Sequence, residues 1–168
     1  LFVCVGRLVN QKGYDRLLCA SEKLNSKGYK YSVWIIGEGE DRPLLESAIR
    51  KMQLKNIKLL GEQSNPFVYM KQADWLLLPS RHEGFGMVLH ESLYCGTPVL
   101  TTLVAGAKEL LGDSKYGIIV DNSEDGIYNG MKLVLDIPDL HQRYAELSVQ
   151  RKSFVDIKRR IRDIETLF

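Results

Sequence analysis

Two glutamates eight positions apart, Glu83 and Glu91, enclose two glycines in "SRHEGFGMVLHES" (80–92), directly after the apolar run Trp75–Leu78 and Pro79. The stretch reads as the end of a buried strand, a loop and the start of a helix. Gly84 and Gly86 leave backbone N–H groups unobstructed there, where free amides and the helix macrodipole favour an anion. Carboxylates accept hydrogen bonds from paired hydroxyls, so Glu83 in the loop and Glu91 about one turn into the helix suit a sugar or a ribose. One acid at a helix start is ordinary structural chemistry. Two acids, two glycines and a strand end together point to a ligand.

Two further clusters follow strand-like runs. In "VGRLVNQKG" (5–13), Arg7 and Lys12 share a loop with Gly6 and Gly13. Fixed cations beside glycines, where backbone can approach closely, suit a diphosphate; an ordinary solvated loop is the plain alternative. In "IIGEGEDR" (35–42), Gly37, Glu38 and Gly39 end a strand and open a helix. Their glycines can take positive φ or expose amides. The dinucleotide fingerprint is absent, because GxGxxG needs glycine where Arg42 stands; a plain strand-to-helix turn fits as well.

Other conspicuous side chains have structural explanations. His82 and His90 read as packing or surface groups, and Asp74 as ending a preceding helix or bonding locally. Trp34 and Trp75 lie in strand-like runs and belong to the core. Cys4, Cys19 and Cys95 sit in apolar stretches without CxxC spacing, as small buried hydrophobes in a reducing compartment.

The elements that must position these clusters alternate. Apolar runs at 1–5, 31–37, 57–61, 75–79, 97–102 and 117–120 are separated by helical patterns at 14–28, 40–54 and 86–96. Several runs are apolar at consecutive positions, as strands covered on both faces are. Gly28 and Gly96 stand where helix C-caps belong. The alternation predicts an α/β, Rossmann-like parallel sheet of about six strands with helices on both faces. Ligands of such sheets bind outside the carboxyl ends of the strands, where all three clusters fall. From about residue 123 the pattern becomes a helical tail of three segments, Pro138 breaking the first from the second.

The chain has 168 residues, 45% hydrophobic and 26% charged, with a net charge of +2. That suits one compact domain, 1–168, and the interspersed charges give no argument for a nucleic-acid partner. No apolar run approaches the ~20 residues of a membrane span, and no signal peptide is expected. The stretch "KRRIR" (158–162) could touch an anionic membrane surface. A solvated helix face diluted by Asp156, Asp163 and Glu165 is the simpler reading. The sequence opens on Leu1, inside a strand-like run, so a partner half upstream is expected.

With "GRL…KG", "IIGEGEDR", "LPSRHEGFGMVLHES" and "GTPV" in this order, the chain resembles the nucleotide-sugar-binding half of the retaining glycosyltransferases of GT-B fold, group 1 (family 4). The resemblance runs from residue 3 to about 121, and Glu83–Glu91 matches the family's E-x7-E motif. It implies transfer of a hexose-type sugar from a nucleoside-diphosphate sugar to an acceptor hydroxyl, with retention of configuration. Arg7 and Lys12 would neutralise the donor diphosphate, so that neither a metal nor a cofactor is needed. Glu83 would lie by the donor sugar and Glu91 on the ribose hydroxyls, with amides of Phe85, Gly86 and Met87 on the sugar or β-phosphate. Arg7, Lys12 and Glu83 are the catalytic candidates; Gly6, Gly37, Glu38, Gly39 and Gly84 join the binding set. Glu109 in "GAKELLG" matches a family glutamate, although the usual Gly-Gly there is "AGA".

The same resemblance implies UDP as the most frequent donor nucleotide, with GDP and ADP also in use. The acceptor would be a saccharide, lipid-linked or other hydroxyl compound, bound mainly by the N-terminal domain of the same chain. Isolated residues 1–168 should then bind donor without transferring sugar. A cytoplasmic location, at the membrane face for a peripherally associated full-length enzyme, follows from the same comparison. The alternatives are a non-catalytic nucleotide-sugar-binding module and a GT-B sugar-nucleotide epimerase.

Overall fold

The computed structural model describes residues 1–155. Among them, β1 (Phe2–Val5), α1 (Tyr14–Ser26), β2 (Val33–Ile36), α2 (Arg42–Lys51), β3 (Ile57–Gly61) and α3 (Pro66–Gln72) form the first half. The second comprises β4 (Trp75–Leu78), α4 (Met87–Cys95), β5 (Val99–Thr102), α5 (Ala107–Leu111), β6 (Ile118–Val120), α6 (Glu124–Asp136) and α7 (Asp139–Val155). The strands make one parallel sheet in the order β3-β2-β1-β4-β5-β6. The α/β, Rossmann-like architecture expected from the alternation is the one observed.

Burial on both faces explains the unbroken apolar runs. Successive strand side chains point to opposite sides. Phe2, Cys4, Trp75 and Leu77 pack with Leu17 and Leu24 of α1, Leu45 of α2 and Ile127 and Met131 of α6. Val3, Leu76, Leu78 and Val99 face the other way, onto Met70 of α3, Leu89 and Leu93 of α4 and Leu110 of α5. Truncating a wholly buried leucine such as Leu76 to alanine should cost about 2–5 kcal/mol.

The strand order places the site. The chain begins in the middle of the sheet, builds outward to β3, then crosses back to lay β4 on the other side of β1. Loops leaving β1 and β4 therefore diverge at their carboxyl ends and open a crevice between them.

The structure departs from the sequence reading in three places. α3 and α5 are not among the expected helical patterns; with only seven and five residues they are too short to show helical periodicity. Pro138 separates α6 from α7 as expected, but α7 runs unbroken through Phe154 and Val155, where a third helix was expected to begin. The remainder of that segment, with the basic stretch 158–162, lies outside the described residues. Cys4 is buried, whereas Cys19 and Cys95 are only partly so, and none of the three is in a disulfide.

Candidate functional site

The site is built by the loops that follow β1, β2 and β4. Beyond β1, the first loop stays zipped to the second: Gly6 N–H donates to the Ile36 carbonyl, Leu8 N–H to Glu38, and Asp41 N–H to Leu8. This close approach explains two glycines. A Cβ at Gly37 would lie 2.1 Å from the Gly6 carbonyl oxygen, and one at Gly39 would lie 2.3 Å from that of Leu8. Gly6, Arg7, Gly37 and Glu38 thereby line one cavity of about 400 Å³, completed by Glu62, Gln63 and Pro66. Arg7 is exposed and has no protein partner among the described residues. Glu38 accepts from Arg42 at 2.5 Å.

The first loop then makes a single 3-10 turn, Asn10–Lys12, which carries Lys12 back across the crevice. Its Nζ donates to Glu83 Oε1 at 2.7 Å, and the two side chains are only 16% and 8% exposed. The Ser80 hydroxyl donates to the same oxygen at 2.5 Å. The Lys12 stem passes over Gly6, where a Cβ would stand 3.1 Å from Lys12 Cε. Beneath lies Tyr14, whose hydroxyl donates to the Gly6 carbonyl at 3.3 Å. Burial, with Cys4 and Glu83 nearby, holds the Tyr14 phenol well above its ordinary range.

Past Glu83 the backbone is open. Gly86 stands at the N-cap of α4 in the left-handed region (φ 58°) and offers no side-chain cap. No acceptor among the described residues takes the N–H groups of Gly86, Met87 or Val88. Phe85 is 88% exposed and Met87 half exposed. Glu91 sits one turn along α4, partly buried and without a hydrogen-bond partner among the described residues, and burial raises its carboxyl pKa.

Arg7, Lys12, Glu83, Glu91 and the amides of α4 thus all lie at the carboxyl ends of the strands. Gly84 and Phe85 line a second cavity, of about 320 Å³, with Leu89, His90, Gly106 and Glu109. Glu83 lines neither cavity and bridges the crevice through Lys12. Among the described residues, no group of three His, Cys, Asp or Glu side chains could hold a metal ion, and no helix is long and apolar enough to cross a membrane.

Four residues of the site were not legible in the sequence: Asp15, Ser80, Arg81 and Asn122. Arg81 forms a two-pronged ion pair with Asp15 in the first turn of α1 and donates to the Asn10 carbonyl. The Arg81 guanidinium holds the Asp15 carboxyl below its usual range. Asn122 donates to the carbonyls of Arg81 and Leu103, and Arg16 to those of Pro79 and Asn122. These bonds tie the loops after β1, β4, β5 and β6 into one frame. Arg81 stands inside a motif that the sequence singles out, but its partners lie outside it; Ser80 and the Glu83 it bonds both lie within the motif.

Residues 1–151 match the family described as Glycosyl transferases group 1. A relative from Campylobacter jejuni, N-acetylgalactosamine-N,N'-diacetylbacillosaminyl-diphospho-undecaprenol 4-alpha-N-acetylgalactosaminyltransferase, is 33% identical over 158 residues. The match covers 92% of this chain and 42% of that protein. The pneumococcal O-GlcNAc transferase GtfA, solved with UDP and GlcNAc, superposes with a TM-score of 0.83 at 22% identity, over 99% of this chain and 34% of that one. The C-terminal domain of the Francisella tularensis glycosyl transferase group 1 family protein LpcC superposes with a TM-score of 0.77 at 19% identity, over 91% and 84%. These two likenesses concern the fold, the Rossmann-like half of GT-B glycosyltransferases. The chain spans less than half the length of the curated relatives it matches. With the family match running from β1 into α7, the chain belongs to the group 1 glycosyl transferases.

Proposed function

We propose that residues 1–168 are the donor-binding half of a retaining glycosyltransferase, which moves a hexose-type sugar from a nucleoside diphosphate to an acceptor hydroxyl. The observation that carries this reading is the Lys12–Glu83 pair at 2.7 Å, spanning the β1/β4 crevice beside the unpartnered cation Arg7. The diphosphate lies over the first loop, against Arg7 and Lys12. As the bond to the sugar breaks, negative charge grows on the departing phosphate; fixed cations and preorganised amides stabilise that charge more than they stabilise the bound donor. The free N–H groups at the start of α4 supply the amides and the macrodipole. Two cations suffice without a metal.

Glu83 reaches the sugar and Glu91 the ribose. The acceptor hydroxyl attacks on the face from which the phosphate leaves, and configuration at the sugar is retained. A saccharide, lipid-linked or other hydroxyl acceptor is held by an N-terminal domain of the same chain, at the cytoplasmic face of the membrane. UDP is the donor nucleotide we expect first, with GDP and ADP as the tested alternatives.

A thermal-shift panel of nucleoside diphosphates and their sugars tests the binding, and transfer by the full-length enzyme, with the product anomer assigned by NMR, tests the chemistry. Stabilisation by one nucleotide series and a retained anomer are expected. No nucleotide binding, or an inverted product, would overturn the reading.

A further inference from the structure

We propose that Ser80 is a positioning residue of this site, anchoring Glu83 through Oε1 so that the carboxylate stays aimed at the donor sugar when Lys12 turns to the diphosphate. The inference rests on the glycosyl-transfer reading above. Its starting point is an asymmetry in Glu83. Lys12 and Ser80 both donate to Oε1, at 2.7 and 2.5 Å, and Oε2 has no partner among the described residues. One oxygen holds the side chain in place and the other is left for a sugar hydroxyl.

The two anchors differ in what a diphosphate does to them. Lys12 is a flexible cation with three donors, and a phosphate group competes with the carboxylate for it. Were Lys12 the only anchor, Glu83 would lose its hold at the moment the donor arrives. Ser80 is neutral and wholly buried, so it has no stake in the phosphate. Its own position is fixed from the neighbouring strand, where buried Thr102 of β5 donates its hydroxyl to the Ser80 carbonyl at 2.6 Å. A hydroxyl donating to an ionised carboxylate at this distance makes a strong, charge-assisted bond.

The test uses the full-length enzyme with Ser80→Ala, and Thr102→Val as a second variant should the first fold poorly. Turnover, donor KM and the affinity for the nucleoside diphosphate that the wild type binds are measured, with Ser80→Thr beside them. Ser80→Ala should lower kcat at least tenfold while nucleotide affinity stays within twofold. Ser80→Thr, which keeps the hydroxyl, should restore most of kcat. Thr102→Val should show the same split at smaller amplitude. Wild-type kcat in Ser80→Ala would overturn the proposal alone. So would a fall in kcat matched by equal losses of nucleotide affinity and melting temperature, or one that Ser80→Thr fails to rescue, the mark of a structural role. Absence of transfer by the wild-type enzyme would instead overturn the glycosyl-transfer reading.

Discussion

Arg81 and Asp15 meet through two parallel hydrogen bonds, Nη1 to Oδ1 at 2.7 Å and Nη2 to Oδ2 at 2.6 Å, across the β1/β4 crevice. The same Nη1 donates to the Asn10 carbonyl at 2.7 Å, so Arg81 grips the turn that presents Lys12. The pair is partly exposed, and Asp15→Ala should destabilise the fold by only about 0.5–1 kcal/mol. Because Arg81 lowers the Asp15 pKa in the folded state, this contribution is present above the unfolded value near 3.8 and is lost as pH falls through the folded one. Thermal melts of wild type and variant should therefore differ at pH 7, and the gap should narrow as pH falls below 3.8. A gap that persisted at low pH would place the effect in packing rather than in charge.

Arg7 and Lys12 should separate by stability, not by affinity. Losing either charge-assisted contact should weaken nucleoside-diphosphate binding by roughly 1.5–3 kcal/mol, about tenfold to a hundredfold. Arg7→Ala removes an exposed side chain with no protein partner among the described residues and should leave the melting temperature unchanged. Lys12→Ala strands the nearly buried Glu83 carboxylate and should lower it. The same pair alters what the motif alone suggests for Glu83. A residue that touches only the sugar would leave free nucleotide binding unchanged; here Glu83→Gln also releases Lys12, so nucleotide binding should tighten while turnover falls. Calorimetric titration beside melting curves decides both points, and weaker nucleotide binding by Glu83→Gln would sink the second.

In the proposed role, Glu91 trades stability for its hold on the ribose. Burial raises its pKa above the ordinary 4.5, so the charged carboxylate is tolerated less well in the folded state than in the unfolded chain. The contribution it makes when protonated is fully present below the unfolded value and is lost as pH rises through the folded one. Glu91→Gln should accordingly melt higher than wild type at pH 8 and level with it at pH 4, while binding nucleoside diphosphate more weakly. A 2′-deoxynucleotide should lose affinity for the wild type and little further for the variant. Equal losses of affinity in both proteins would place the ribose elsewhere.

Two glycines of the candidate site should respond oppositely to a methyl group. Gly39→Ala drives a Cβ to within 2.3 Å of the Leu8 carbonyl oxygen, so the loops after β1 and β2 must part and the melting temperature should fall sharply. At Gly84 an added Cβ meets nothing within 4 Å, and stability should stay within about 0.5 kcal/mol of wild type. Any loss of donor binding in Gly84→Ala then measures crowding of the ligand. Unfolding of that variant would contradict the open loop described above.

The six strands were legible because each carries consecutive apolar residues, and Gly96 ends α4 in the left-handed region, where a C-cap was expected. Order across the sheet was not, since nothing in Trp75–Leu78 says that it pairs with Phe2 and Val3 rather than with Ile57. Spacing along the chain brought out Glu83 and Glu91, whose eight-residue separation is a local fact. Asp15 and Arg81 are ordinary charged residues until the fold closes 66 positions between them. The sequence marks which side chains could meet a ligand; their partners come from topology.

The crossover from β3 back to β4 makes the site depend on contacts between distant parts of the chain. Lys12 and Glu83 are 71 positions apart, and Arg16 and Asn122 are 106 apart. α1 and β2 can form without any of these contacts, but the crevice exists only once β4 has docked beside β1. A ligand gripped by both loops therefore binds the completed sheet and none of the species before it. At a hundredfold excess over its Kd, such a ligand would stabilise the native state by about 2.7 kcal/mol relative to any chain in which β4 has not docked. The same molecule that is chemistry's substrate would then be a selective trap for chains that have made the crossover correctly.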